Sequence, residues 1–374
     1  MLRTGSCDSR SSSGSRQCLV VSAAAVASSS AQLACASTNA VVDAFRGVSP
    51  CMKKLFTRKS KTASSAMAED SPEESECLSV WGLSLDEENS LLAQLRDEIE
   101  LEAGKLAPEF DDHALRRFLR ARKHHILKAK VMFLDQLKWR KEEAVDTILT
   151  DFVFHEHEEF AKWYPEGFYG VDREGRPVYV QRPGKIDTVE LWKFTTMERC
   201  IRHHLQQQER YWRIVAPACS LVAGRLHEQS LVIIDMDGVG ISTLTGEVRK
   251  IMGVILQIDQ DYFPELMWRC VIINAPTTFR VIWSMIKYLL DARTQDKIEV
   301  LGSDYLDRVQ ALIAPDQLMQ AFGGTNPTPL GVGSGPWLDP AVLSRLEQQR
   351  QQRLLELGVP ASMTFPAVTA NVTT

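Results

Sequence analysis

Between Thr277 and Leu290 the chain carries only three strongly polar residues, Arg280, Ser284 and Lys287. Spaced by four and then three, they form one stripe on a helix. Phe279, Val281, Ile282, Trp283, Met285, Ile286 and the Tyr288–Leu290 run cover the remaining surface. A helix apolar nearly all round is either buried on most sides or faces something apolar outside the protein's own core.

Elsewhere the patterns are those of ordinary amphipathic elements. Leu85–Leu101 places apolar residues at 91, 92, 95 and 99. Asp111 and Asp112 offer an N-cap to a helix over Ala114–Lys123. A third helix, Ile126–Glu143, should bury Ile126, Ala129, Phe133, Leu134 and Leu137, so residues 78–147 form a small helical bundle. From about Asp151 the rhythm changes to alternating strands and helices: strands at Val178–Gln181, Leu231–Asp235, Arg269–Asn274 and Lys297–Leu301, and helices at Thr196–Val215, Leu244–Ile258 and Thr277–Leu290. Short, fully apolar strands alternating with helices predict an α/β domain over 148–325, with a mixed, mainly parallel sheet. Residues 326–374 read as loop followed by a polar, peripheral helix at Ala341–Leu357.

Composition adds a boundary. Residues 1–68 hold nine Lys/Arg against two acids, a net of +7, so the rest of the chain carries −12 of the total −5. Basic, rich in Ser and Ala and poor in aromatics, residues 1–77 read as a disordered extension. An organelle transit peptide and a start at Met67 are the other readings of that stretch. No run of 18 apolar residues predicts a membrane-spanning helix. The eight cysteines show no metal-ligand spacing and read as free thiols.

Charged residues at helical spacing supply candidate chemistry. Leu115, Phe118 and Leu119 define one apolar face; Arg116, Arg117, Arg120 and Lys123 fall away from it, and Arg122 lands on it. A guanidinium there needs an anion, either a carboxylate of the next domain or a ligand phosphate. Thr294 and Lys297, three apart, point the same way on one helical turn, a hydroxyl and an ammonium suited to a phosphate oxygen or simply an exposed turn. Leu231-Val-Ile-Ile-Asp-Met-Asp-Gly238 resembles the nucleophile strand of haloacid-dehalogenase-type phosphatases, with Asp235 attacking phosphorus. Two elements precede it, however, and Asp304 and Asp307 are a thin match for a Mg²⁺ pair. His155, His157, His203 and His204 read as exposed helix polars.

Several strings occur in an order that resembles one family: RRFLRARK (116–123 within Leu115–Lys123), DREGRPVYV, QSLVIID, YFPE (262–265), INAP (273–276), LLDARTQDKIEVLG (289–302), FGG (322–324) and GPWLDP (335–340). On these the chain is similar to the CRAL-TRIO family, most of all to its yeast-type phosphatidylinositol/phosphatidylcholine transfer proteins, over roughly residues 80–340. The resemblance implies a sheet flooring an apolar lipid pocket, a gating helix (Phe279, Ile282, Trp283, Ile286, Lys287), and a preceding helical bundle. It implies inositol-phosphate contacts at Arg122, Glu265, Thr294 and Lys297, with Leu266 where those proteins have a second Arg. For a choline lipid, Ser230 and Tyr179 match, while Val232 replaces a Thr and Phe168 a Tyr. The implied protein is a monomeric, non-enzymatic carrier of phosphatidylinositol and a second lipid, without cofactor, metal or nucleic acid. It would be cytoplasmic and touch membranes transiently, or lie in a plastid or other organelle if residues 1–68 are a transit peptide. The rival ligands within the family are phosphatidylserine, a sterol, a tocopherol or a retinoid.

Overall fold

The computed structural model describes residues 81–240, 245–286 and 292–358, without the side chains of residues 282, 285, 286 and 292–294. The basic extension, Leu244 and Lys287 lie outside the described residues.

The chain opens with three packed helices, α1 (Leu85–Ala103), α2 (Asp112–Ala121) and α3 (Ile126–Glu142). Ser84 and Glu87 close a reciprocal capping box on α1, and Asp111 caps α2 through the Ala114 amide. Leu92, Leu95 and Ile99 of α1 meet Leu115, Phe118 and Leu119 of α2 and Phe133 of α3 in one core. Helix α2 stops at Ala121, short of the expected Lys123, because Lys123 and His124 turn to φ 52° and 59°. The left-handed region ends a right-handed helix.

The arginine stripe of α2 does not face solvent as its position predicted. Arg120 grips both oxygens of Glu88 at 2.7 and 2.8 Å, Arg116 Nε lies 3.2 Å away, and His124 Nε2 is 2.8 Å from the same fully buried carboxylate. Burial alone would raise the Glu88 carboxyl, but the His124 and Arg120 contacts outweigh it and hold it at about 2. A carboxylate depressed on folding adds stability above its ordinary value of 4.5 and loses it as pH falls toward 2. Urea unfolding should therefore show on the order of 2–3 kcal/mol disappearing across that window, and Glu88→Gln should lack most of this acid-sensitive part. An unchanged pH profile in that variant would place the acid sensitivity elsewhere.

Short helices α4 (Ile148–Asp151) and α5 (His157–Trp163) lead into β1 (Glu166–Val171) and β2 (Pro177–Gln181). After α6 (Thr188–Leu191) comes α7 (Met197–Arg210), which runs through a π-helical turn at Tyr211–Val215 into α8 (Ala216–Ala223). That wide turn lets the helix pass Pro217, which lacks an amide hydrogen, so it continues beyond the expected end at Val215. Then follow β3 (Ser230–Asp235), α9 (Gly246–Tyr262), β4 (Met267–Ile273), α10 (Thr277–Ile286), α11 (Ala292–Lys297), β5 (Ile298–Val300), α12 (Leu306–Leu312) and α13 (Pro340–Leu357). The five strands lie in the order β1-β2-β3-β4-β5, antiparallel between β1 and β2 and parallel elsewhere.

The two faces of this sheet differ. One is sealed: Val178, Val180, Leu231, Ile233, Val271 and Ile273 pack against Val309, Ile313, Met319 and Phe322. On the other, Phe168, Tyr179, Val232, Cys270 and Ile298 pair in register in one row across all five strands. Gln181, Ile234, Ile272 and Val300 form the next row. Cys270, Ile272 and Ile298 are covered by Phe279 and Trp283 of α10. Toward β1–β3 the cover is thinner: Phe168 meets Tyr211 and Trp337, Val232 and Ile234 lie at the edge of the Phe279–Trp283 cluster, and these three with Tyr179 and Gln181 are only half-buried.

Candidate functional site

A thinly covered apolar stretch on an otherwise buried sheet can wall a cavity, and a small one of about 40 Å³ lies there beside Phe168 and Tyr179. Burial raises the Tyr179 hydroxyl well above its ordinary value and also raises the Glu166 carboxyl. These side chains thus sit deep in the protein and still touch open space.

At the rim of this floor lies the ionic pair expected to read a headgroup. Glu265 directly precedes the turn into β4 at φ 59°, a strained setting for a residue other than glycine. Lys297, the last residue of α11, donates to Glu265 Oε2 at 3.0 Å and to the Met267 carbonyl at 3.0 Å. Glu265 is nearly enclosed, its side chain 5% exposed, while Lys297 retains 20%. Thr294 lies one turn earlier on α11; its side chain is outside the described residues. Arg122 is not on the buried face of α2 as expected but caps its C-terminus, half-buried, donating to the Ala121 carbonyl at 3.2 Å. Burial presses its guanidinium downward, and Asp261, four residues before Glu265, partly offsets this. The bundle holds the Glu265 segment directly: Gln136 donates to the Tyr262 carbonyl at 2.6 Å, and the Trp139 and Tyr262 rings stack at 3.9 Å.

The second-lipid residues lie on the open floor. Phe168 packs on Tyr179 at 4.9 Å and on Tyr211 at 5.2 Å, and Val232 follows in the same row. Ser230 is buried, with its hydroxyl 3.4 Å from the Leu266 carbonyl. A further polar group at this end was missed by sequence reasoning. Glu166 accepts from Gln181 at 3.3 Å and feels the charges of His204 and Asp259. His204 Nε2 lies 2.7 Å from Asp259 Oδ1, to which Gln208 also donates at 2.8 Å. Burial works against a charged His204, but Asp259 outweighs it and the imidazole is raised.

The expectation of exposed histidines therefore holds for His155 alone. His203 is buried, stacked on Phe154 at 4.2 Å, and burial pushes it down to about 3. His157 is half-buried, 3.1 Å from the Gly331 carbonyl. The sequence signal was the position of His203 and His204 inside α7, beside Leu205 and one turn from Cys200 and Ile201.

On α10, Phe279 and Trp283 face the sheet, while Arg280, Val281 and Ser284 face outward. The side chains of Ile282 and Ile286 are outside the described residues. Asp235 is poorly placed as a nucleophile: it is 1% exposed, and its carboxylate accepts from Arg182 (3.0 Å), Asn274 (2.8 Å) and the Asp237 amide (3.0 Å). Asp237 pairs with Lys185 at 2.8 Å. Cys200, Cys219 and Cys270 are free and buried, and burial pushes each thiol up to about 12. Among the described residues no cluster of His, Cys, Asp or Glu could hold a metal.

Residues 162–324 match the family described as the CRAL/TRIO domain. Phosphatidylinositol/phosphatidylcholine transfer protein SFH7 of Arabidopsis thaliana is 39% identical over 282 residues, covering 71% of this chain and 51% of that protein. The corresponding protein SFH11 of the same plant is 38% identical over 252 residues, 66% of this chain and 67% of its own length. SEC14 cytosolic factor of Yarrowia lipolytica is 41% identical over 233 residues, 62% of this chain and 47% of its own. The chain thus spans about half the length of SFH7 and of the yeast factor. The match over residues 162–324 and the 38% identity to SFH11, covered to 67% of its length, place it in one family: the chain belongs to the CRAL/TRIO domain family.

Proposed function

We propose that the chain is a non-enzymatic carrier of phosphatidylinositol, holding the acyl chains over the open sheet face and the headgroup at Lys297, Glu265, Thr294 and Arg122. The observation that carries this reading is the Lys297–Glu265 pair at the rim of a half-covered apolar floor. An ammonium suits a phosphate oxygen, and a carboxylate suits the hydroxyls of an inositol ring. A two-chain lipid with roughly thirty methylenes, at about 0.8 kcal/mol each, would lose on the order of 25 kcal/mol in water. The pocket supplies solubility; a few polar contacts supply identity. The relatives' names, which cite this lipid, agree with the reading.

Native mass spectrometry of the purified chain should find phosphatidylinositol bound. A bound sterol, tocopherol or retinoid in its place would overturn the assignment. At the second-lipid end, Glu166, Gln181 and Asp259 are acceptors for N–H or O–H groups, which a choline head lacks.

We assign membrane contact to the outward face of α10. No helix among the described residues is long and apolar enough to cross a membrane. Val281 on α10 is 53% exposed, whereas Trp283 is 8% exposed. Val281→Asp should weaken binding to phospholipid vesicles and leave thermal stability nearly unchanged, as outward substitutions usually do. Trp283→Asp should instead lower the melting temperature, because a carboxylate would be buried without a partner. Wild-type vesicle binding by Val281→Asp would rule out this face.

A further inference from the structure

A second and larger hollow lies away from the sheet floor. Helix α2, the α7–α8 segment with its π-helical turn, and α13 enclose a cleft of about 1330 Å³. Helix α13 is therefore less peripheral than its polar sequence suggested. Val342 is buried, and Arg353 and Arg350 reach Asp111 at 3.4 Å and Glu109 at 3.9 Å in the bundle. The cleft walls are largely apolar, with Trp212, Ile214, Leu221, Trp337, Leu343 and Leu346 among them.

Two cations enter this space without an ion-pair partner within 4.0 Å among the described residues. Arg117 of α2 and Arg210 of α7 both line the cleft, and the Nε of each is buried with no hydrogen-bond partner. Among the described residues neither guanidinium forms an ion pair within 4.0 Å; the one close contact of Arg117 is the Trp212 ring at 5.6 Å. Of the acids nearby, Asp111 pairs with Arg353, and Glu109 and Glu347 with Arg350, while Glu228 lies beyond pairing distance of Arg117. Glu228 attracts Arg117 from beyond pairing distance, yet burial still lowers Arg117; for Arg210 burial acts with nothing to oppose it. A partly desolvated guanidinium whose buried Nε has no acceptor is costly, and two beside one apolar hollow point to an absent anionic partner.

We propose that this cleft is a ligand site, separate from the sheet-floor pocket, for an amphiphile with an apolar body and one carboxylate or phosphate group. The anion is met by Arg117 and Arg210, and the body lies against Trp212, Trp337 and the α13 leucines. Arg210 and Trp337 also line a small cavity of about 40 Å³ beside Phe168 and Tyr179, so the two sites share a wall.

Calorimetric titration of the full chain with dodecyl phosphate, dodecanol and inorganic phosphate tests this. Dodecyl phosphate should bind; dodecanol should bind at least about tenfold more weakly, the factor expected of one lost charge-assisted bond, and inorganic phosphate at least about tenfold more weakly for want of the buried methylenes. Arg117→Gln and Arg210→Gln should each weaken dodecyl phosphate by a similar factor. Lys297→Ala should leave its affinity unchanged, because the sheet-floor site is not involved. Both arginine variants should melt no lower than wild type without ligand, and dodecyl phosphate should raise the melting temperature of the wild type and of Lys297→Ala more than that of either arginine variant. Leu346→Trp narrows the cleft without touching either arginine and should weaken dodecyl phosphate even if an arginine variant fails to fold. Equal binding by the arginine variants, loss of binding in Lys297→Ala, or equal affinity for dodecanol would overturn the proposal. Inorganic phosphate binding as tightly as the amphiphile would reduce the site to a simple anion site and overturn its apolar half.

Discussion

Arg140→Met is expected to lower the stability of the folded protein by about 3–5 kcal/mol, as breaking a buried ion pair from one side typically does. Arg140 is 1% exposed and Glu209 is fully buried. The guanidinium donates to both Glu209 oxygens at 2.7 and 2.9 Å and to Asp146 at 2.6 Å. Methionine would fill most of the volume but leave the Glu209 carboxylate in the interior with no cation. The pair joins α3 of the bundle to α7 of the sheet domain, so the loss should loosen both together. Removing both charges in Arg140→Met/Glu209→Leu should recover most of the stability, since two apolar groups need no partner. Urea unfolding of the two single variants and the double variant closes the cycle. A single variant within about 1 kcal/mol of wild type would show that Glu209 finds another partner or takes up a proton.

Lys297→Ala is expected to weaken phosphatidylinositol binding by about 30- to 150-fold. One charge-assisted contact to phosphate is worth about 2–3 kcal/mol, and each 1.4 kcal/mol is tenfold. The variant also leaves Glu265 facing the lipid phosphate without an intervening cation, so repulsion adds to the lost attraction. Lys297 is partly exposed, but its removal takes a cation from the nearly enclosed Glu265, so the melting temperature should fall, though by less than in Arg140→Met. Transfer of labelled phosphatidylinositol between vesicles, read beside thermal unfolding, separates recognition from folding. Transfer at the wild-type rate would remove Lys297 from the headgroup site, and a collapsed fold would make its role structural.

Local rules carried far in this chain where the governing interactions are themselves local. The cap at Asp111, the helix starting near Thr196, the helix that buries Val248, Ile251, Ile255 and Ile258, and the apolar strand at Leu231–Asp235 all appear in the structure close to their expected places. What escaped depends on contacts distant in sequence. Arg140 and Glu209 are 69 residues apart, and neither periodicity nor composition pairs them. Glu88 turns the α2 arginines inward from 28 and 32 positions away, where the helical wheel alone sends them to water. Strand β1, with two glycines and an acid in six residues, has weak strand propensity and exists because β2 pairs with it. The headgroup candidates came from resemblance to a family, and the Lys297–Glu265 contact adds geometry to two of them. Arg122 is tied to that corner only by the charge of Asp261.

The clasp between Gln136, Trp139 and Tyr262 makes the helical bundle a reporter of cargo. Tyr262 is three residues from Glu265, so an occupant that steadies Glu265 also steadies the seat on which α3 rests. Linkage is reciprocal: if loading tightens the seat, then a well-seated bundle raises affinity by the same factor. Amide exchange along α3 should slow on loading with phosphatidylinositol.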